Sequence, residues 1–270
     1  MENYFDEYGL KTGLRSTVAD MRSFEGDIHS GERWNSILRS FEESAEAEAD
    51  VLSIESRGGQ EVFSSSMMKG DLQGMVFSQI LAMRDKRELW SEITDISTGT
   101  KSIPGGDTAC AYANSIMHIA DGLVDRDVSH VEAAVVRAMS APSSLVAFEE
   151  GALGPDKDCG YEGIYLKSIT GKPISMEGKT SACAHSSLIG NIALSACDLW
   201  SNESVEDLNL FVGKTPETFL EMLGYDCKAM NRSIQRNDEI KFRDIHVESD
   251  MYLDPQALVL SPESAVRIGE

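Results

Sequence analysis

The stretch Asp50-Val51-Leu52-Ser53-Ile54-Glu55-Ser56-Arg57-Gly58-Gly59 reads as a buried strand that stops at a carboxylate and turns into a glycine-rich loop. It follows directly on Gly31–Ala49, where Trp34, Ile37, Leu38 and Phe41 recur at the helical period beneath an acidic outer face. Downstream, the periodicity predicts a helix over Leu72–Met83 and a second amphipathic stretch at Leu89, Trp90, Ile93 and Ile96. A short strand over Lys101–Gly106 comes next, just before Cys110. The alternation then continues: helix Val131–Met139, strand Ser144–Phe148, helix Tyr161–Thr170, strand Pro173–Met176, helix Leu188–Leu199, strand Asn209–Val212 and helix Pro216–Met230. With Lys11–Val18 as the first strand, six strands alternate with helices, which implies parallel βαβ units and an α/β fold.

Two architectures answer to that pattern. A doubly wound sheet gathers its ligands at the one crevice where strand order reverses. A β/α barrel brings the loops after many strands to one mouth. Here Glu55, Cys110 in Gly105-Gly106-Asp107-Thr108-Ala109-Cys110, and Cys159 at the end of Glu150-Gly151-Ala152-Leu153-Gly154-Pro155-Asp156-Lys157-Asp158-Cys159 each follow a different strand. Three post-strand loops with chemistry-bearing residues favour the barrel, although a complete (β/α)8 TIM-type barrel has eight strands and six are counted.

Composition bounds the rest. The 270 residues, with no Pro/Ser-rich linker, read as a single domain, 1–270. A net charge of −21 argues against nucleic acid and against anionic membrane surfaces as partners. No apolar run has the length of a membrane span, and Met1-Glu2-Asn3-Tyr4-Phe5-Asp6-Glu7 has no signal-peptide character, so a cytoplasmic location is expected. Five cysteines without close pairing fit a reducing compartment.

The two thiols and the carboxylate admit two readings. They form a three-ligand zinc site with an open fourth position, the catalytic rather than the structural pattern, or they are two buried thiols and a loop carboxylate, since no short metal motif is present. Asp107, three residues before Cys110, is either a helper that fixes a ligand or the substrate hydroxyl, or a loop cap. Glu177 and Lys179 could face the mouth or pair with each other; His185 and Cys183 could reach the site or serve the structure; Cys197 and Cys227 read as core. Gly58-Gly59 and Gly105-Gly106 lack the lysine and spacing of phosphate loops, which excludes a nucleotide site.

Several longer segments carry a resemblance. Leu52-Ser53-Ile54-Glu55-Ser56 to Gly58-Gly59, Gly106-Asp107-Thr108 to Cys110, Gly154-Pro155 to Lys157-Asp158-Cys159-Gly160-Tyr161-Glu162, and Met176-Glu177-Gly178-Lys179-Thr180 resemble the zinc-containing methanol:corrinoid methyltransferase subunit of methanogens. Cys197-Asp198-Leu199-Trp200-Ser201-Asn202-Glu203-Ser204 and Tyr225-Asp226-Cys227 extend the likeness over nearly the whole chain. The resemblance implies a β/α barrel that binds one zinc ion per chain through Glu55, Cys110 and Cys159. It implies methanol as substrate, with methyl transfer to Co(I) of a corrinoid carried by a separate protein, and a homodimer within a larger complex. It also implies that the first two β/α units and a C-terminal helical extension of the family are missing, which leaves an incomplete barrel. Two further expectations compete: an inactive fragment or binding subunit that keeps the corrinoid-protein surface, and a zinc methyltransferase for another C1 donor.

Overall fold

The computed structural model describes residues 13–22, 26–107, 112, 126–158, 162–176, 228–229, 231–252 and 261–270. Among them the order is β1 (Arg15–Ala19), α1 (Gly31–Glu46), β2 (Val51–Glu55), α2 (Gln60–Met68), α3 (Leu72–Thr98), β3 (Ile103–Asp107), α4 (Arg126–Glu149), β4 (Asp156–Asp158), α5 (Gly163–Thr170) and β5 (Ile174–Met176). Helices α6 (Glu239–Asp250) and α7 (Pro262–Gly269) follow. Contacts group Gly13–Lys157 with Leu166–Ile174 as one compact unit, and α6 and α7 belong to a second.

The first unit is built on a three-stranded sheet, β1-β2-β3, in chain order and wholly parallel. Parallel neighbours need a crossover, and α1 and the α2–α3 pair supply it. Strands β4 and β5 form a two-stranded sheet. The segment entering β4 runs beside β3: the Leu153 N–H donates to the Pro104 carbonyl at 2.8 Å.

The core lies between the sheet and its helices. Leu52 and Ile54 of β2 meet Trp34, Ile37 and Phe41 of α1, Leu89, Trp90 and Ile93 of α3, and Ala147 of α4. Each large apolar side chain withdrawn from water here contributes roughly 1.5–3 kcal/mol. That burial, more than intrinsic propensity, holds α1 and α3 in place.

Four expected strands stand within a few residues of their expected places: β1, β2, β3 and β5. The fourth in order does not. Ser144–Phe148 is the last part of α4, and the strand stands later, at Asp156–Asp158. A short apolar run such as Leu145-Val146-Ala147-Phe148 carries no period that separates strand from helix. Its packing decides: Ala141, Ser144 and Ala147 are buried three residues apart, a helical spacing, and the helix runs through Pro142. The two stretches expected at Leu72–Met83 and Leu89–Ile96 are one helix, α3, begun by Asp71, whose side chain accepts the Gly74 N–H at 3.0 Å. Helix α2 carried no sequence expectation. Leu188–Leu199 and Asn209–Val212 lie outside the described residues, as does nearly all of Pro216–Met230.

Candidate functional site

Strand β2 delivers Glu55 to its C-terminal end, half-buried and in register with Ala19 of β1. Side chains alternate along a strand, so Leu52 and Ile54 enter the helix-side core while Ser53 and Glu55 take the other face. That face is polar: Arg15 Nη1 donates to Ser53 Oγ at 2.5 Å and Arg15 Nη2 to the Pro155 carbonyl at 2.6 Å.

A β-bulge decides where Asp107 points. Leu52 pairs with Pro104 but Ser53 pairs with Gly106, which leaves Gly105 as the extra residue. A regular register would set Asp107 opposite Glu55; the bulge sets it opposite Ile54, on the helix side. Only glycine fits the bulge, because a Cβ at Gly105 would lie 2.5 Å from Val51 Cγ1. Asp107 is fully buried, and both of its oxygens accept. Oδ1 takes the Ser56 N–H at 3.2 Å and the Ser56 hydroxyl at 2.9 Å, and Oδ2 takes the Trp90 indole N–H at 2.9 Å. The fully buried Lys86 ammonium stands 3.2 Å from Oδ1 as counter-charge, off the hydrogen-bonding direction.

A second buried cluster closes the other side of the β2 loop. Asp20, just past β1, accepts from Arg22 Nε at 2.9 Å and Nη2 at 2.7 Å, and its Oδ2 accepts the Arg57 N–H at 2.8 Å. Arg22 also grips Asp85 of α3, with Nη1 to Oδ1 at 2.5 Å and Nη2 to Oδ2 at 2.8 Å. His29 joins them: its Nε2 lies 2.8 Å from Asp85 Oδ1 and its Nδ1 2.9 Å from Glu88 Oε2. Burial alone would raise the Asp20 pKa, but the hydrogen bonds and charge of Arg22 and the Arg57 N–H outweigh it and hold the carboxyl below its usual range. Burial likewise works against the charge of Arg22, and the two carboxylates reverse that, so its pKa is raised.

Tyr112 braces the loop after β2. Its hydroxyl donates to the Gly58 carbonyl and its ring meets Phe63 edge-on at 5.0 Å. Burial, followed by the charges of Asp85 and Asp107, pushes its phenol well above the ordinary value, so it stays protonated and donates. Gly58 and Gly59 permit this approach. A Cβ on Gly58 would lie 2.0 Å from Asp85 Oδ2, and Gly59, at φ +81°, sits against the Ser78 carbonyl of α3.

The expected site residues are thus placed unequally. Glu55 stands at the end of β2, and Asp107 is joined to the residue after it through Ser56. Asp107 does not share the face of Glu55, so its contact with the candidate site runs through Ser56 and the backbone. Cys110 and Cys159 lie outside the described residues, as do Glu177, Lys179, Cys183, His185, Cys197 and Cys227. The strands before the two cysteines are seen: β3 ends three residues ahead of Cys110 and β4 one residue ahead of Cys159. Among the described residues no three His, Cys, Asp or Glu side chains form a metal-ligand group. No described helix is long and apolar enough to cross a membrane.

Sequence reading passed over Asp20, Arg22, His29, Asp85, Lys86 and Tyr112. One signal was available. Lys86 sits on the apolar stripe Ala82–Leu89–Trp90–Ile93, where a charge has no solvent and needs a buried partner.

The whole chain, residues 1–270, matches the family model described as methanol-cobalamin methyltransferase B subunit. It is 45% identical over 272 residues to a methanol–corrinoid protein co-methyltransferase of Methanosarcina barkeri, an alignment that takes in 100% of this chain and 59% of the relative. Among solved structures it is similar to a chain of the methanol:cobalamin methyltransferase complex MtaBC from Methanosarcina barkeri, with a TM-score of 0.74 and 46% identity over 100% of this chain and 59% of that one. The chain therefore spans about 59% of the length of the relatives it matches.

Proposed function

This chain belongs to the methanol-cobalamin methyltransferase B subunit family, and from that premise we propose that it transfers the methyl group of zinc-activated methanol to Co(I) of a corrinoid held by a partner protein. One observation carries the reading above all: within a chain whose residues 1–270 all match the family model, Glu55 terminates one parallel strand, and the next two strands in sequence end just before Cys110 and Cys159. Successive strand ends that each lead to a donor are what a β/α barrel places at its mouth, so β1 to β5 read as consecutive strands of a barrel of that type.

The donor set suits zinc. Two thiolates and one carboxylate are three protein ligands of the kind found in zinc sites that keep a fourth position for substrate. When bound, the ion supplies a Lewis acid for the oxygen of methanol, whose hydroxide is otherwise a poor leaving group. The chain's own part is to hold three negative donors and so temper that acidity, with Glu55 presented by β2 on the face away from the apolar core. Ser56, Arg57 and Gly58, held by Asp107, Asp20 and Tyr112, keep the following loop from swinging across the site.

The test is metal content together with methanol-dependent methylation of Co(I) on a corrinoid protein. About one zinc per chain and methanol-dependent turnover are expected, and both should vanish in the Cys110→Ala, Cys159→Ala double variant. Stoichiometric zinc in that double variant would sink the ligand assignment. Full zinc with no turnover in the parent chain would turn the reading toward a binding subunit, and turnover with a different C1 donor would redefine the substrate.

A further inference from the structure

Two successive peptide N–H groups directly follow Glu55, and each is captured by a buried carboxylate from a different neighbouring strand. The Ser56 N–H goes to Asp107 at the end of β3, at 3.2 Å. The Arg57 N–H goes to Asp20 just past β1, at 2.8 Å. Both side chains are almost fully buried, at 0% and 5% exposure, and each has its own counter-charge, Lys86 for Asp107 and Arg22 for Asp20. Consecutive residues of α3 complete the frame: Lys86 pairs with Asp107, and Asp85 holds Arg22 from its far side.

Stability alone is a poor reason for this arrangement. Withdrawing several charges from water roughly cancels what their pairing returns, and apolar residues of the same volume would serve a core as well or better. A carboxylate accepting a backbone N–H does something apolar packing cannot: it fixes the direction of a peptide plane. The need is local, since the chain two residues further on is Gly58-Gly59, the most conformationally free dipeptide available.

We propose that Asp20 and Asp107 are positioning residues that clamp the peptide planes after Glu55, so that its carboxylate meets a bound metal ion in one fixed orientation. This rests on the reading of Glu55 as a zinc ligand. The clamp also couples loops: β1 and β3 act on the β2 ligand through its backbone, and α3 sets the spacing between them.

Asp→Asn variants test the clamp with almost no change in shape. Both oxygens of each carboxylate accept hydrogen bonds, so an amide must turn an N–H against a donor on one side. In the full 270-residue chain, Asp107→Asn and Asp20→Asn should weaken zinc by about 10–100-fold in competition with a chromophoric chelator. In the Co(II)-substituted chain they should alter the ligand-field bands. Leu89→Ala is the control: it removes a fully buried core side chain of the same helix and should lower the melting temperature while leaving metal affinity and bands as in the parent. Unchanged affinity and bands in both Asp variants would overturn the clamp while the zinc reading stood. Zinc that survives Glu55→Gln together with the cysteine substitutions would instead overturn the zinc reading, and the clamp with it. Should either Asp variant fail to fold, hydrogen exchange of the Ser56 and Arg57 amides in the unmodified chain decides: strong protection is expected, and exchange at the rate of an exposed loop would refute the clamp.

Discussion

The helix-side layer of the β1-β2-β3 sheet is apolar through its middle and ionic at the C-terminal ends of its strands, and α3 serves both parts. In the middle, Leu52 and Ile54 pack on Trp34, Ile37, Phe41, Leu89 and Ile93. At the strand ends, Asp20, Arg22, Asp85, Lys86 and Asp107 are buried just as completely. Apolar contacts are non-directional and scale with area, so the middle sets how firmly the helices adhere. Charge-assisted hydrogen bonds are directional, so the strand ends set where loops point. Burial of equal depth does two kinds of work, and the strand-end kind lies beside Glu55.

Substitutions in the two parts should differ in kind as well as size. The largest stability loss is expected from Asp85→Ala, which takes one carboxylate from the buried Arg22: about 3–5 kcal/mol. Urea unfolding measures it, and a loss under 1 kcal/mol would mean that water enters the cluster. Leu89→Ala, in the apolar middle, should cost about 3 kcal/mol through the cavity it leaves, with the loops and any metal they hold unaffected. A smaller effect on stability but a selective one on chemistry is expected from Glu55→Gln. The neutral amide is a poorer zinc donor and changes the site charge by one unit, so zinc affinity and turnover should fall while the melting temperature of the metal-free chain stays near the parent's.

The smallest effect is a slope against pH. The Asp20 carboxyl is held below its usual range, so its contribution is fully present above the ordinary carboxylate pKa of about 4 and is lost as pH falls through the depressed folded-state value. Unfolding free energy measured from neutral pH downward should show this acid limb. Asp20→Asn should flatten it, and an unaltered limb would remove Asp20 from the acid response.

Much of the scaffold was legible beforehand because it is periodic. The helix after β1 followed from apolar spacing, β1, β2, β3 and β5 from short runs set between such helices, and Glu55 could be named because it ends a strand with loop glycines beside it. Two failures have the same cause. Arg84-Asp85-Lys86-Arg87-Glu88 interrupts the apolar pattern of α3, yet the helix continues, since Asp85 and Lys86 find buried partners far away in sequence. The Ser144–Phe148 run has composition but no usable period, so only its packing on other elements told helix from strand.

By itself, then, the sequence determined the alternation of strands and helices, the position of Glu55 at a strand end, and the family likeness carried by the loops around the cysteines. All three are local: each is written in a few consecutive residues. Tertiary structure alone decided which way Asp107 faces, which carboxylate holds which N–H, and that one helix binds the loops after β1 and β2 and the last residue of β3. The physical reason is that a single bulged glycine shifts the register by one residue and sends Asp107, the last residue of β3, to the other face, and a buried charge acquires its role only from the partner that folding brings to it.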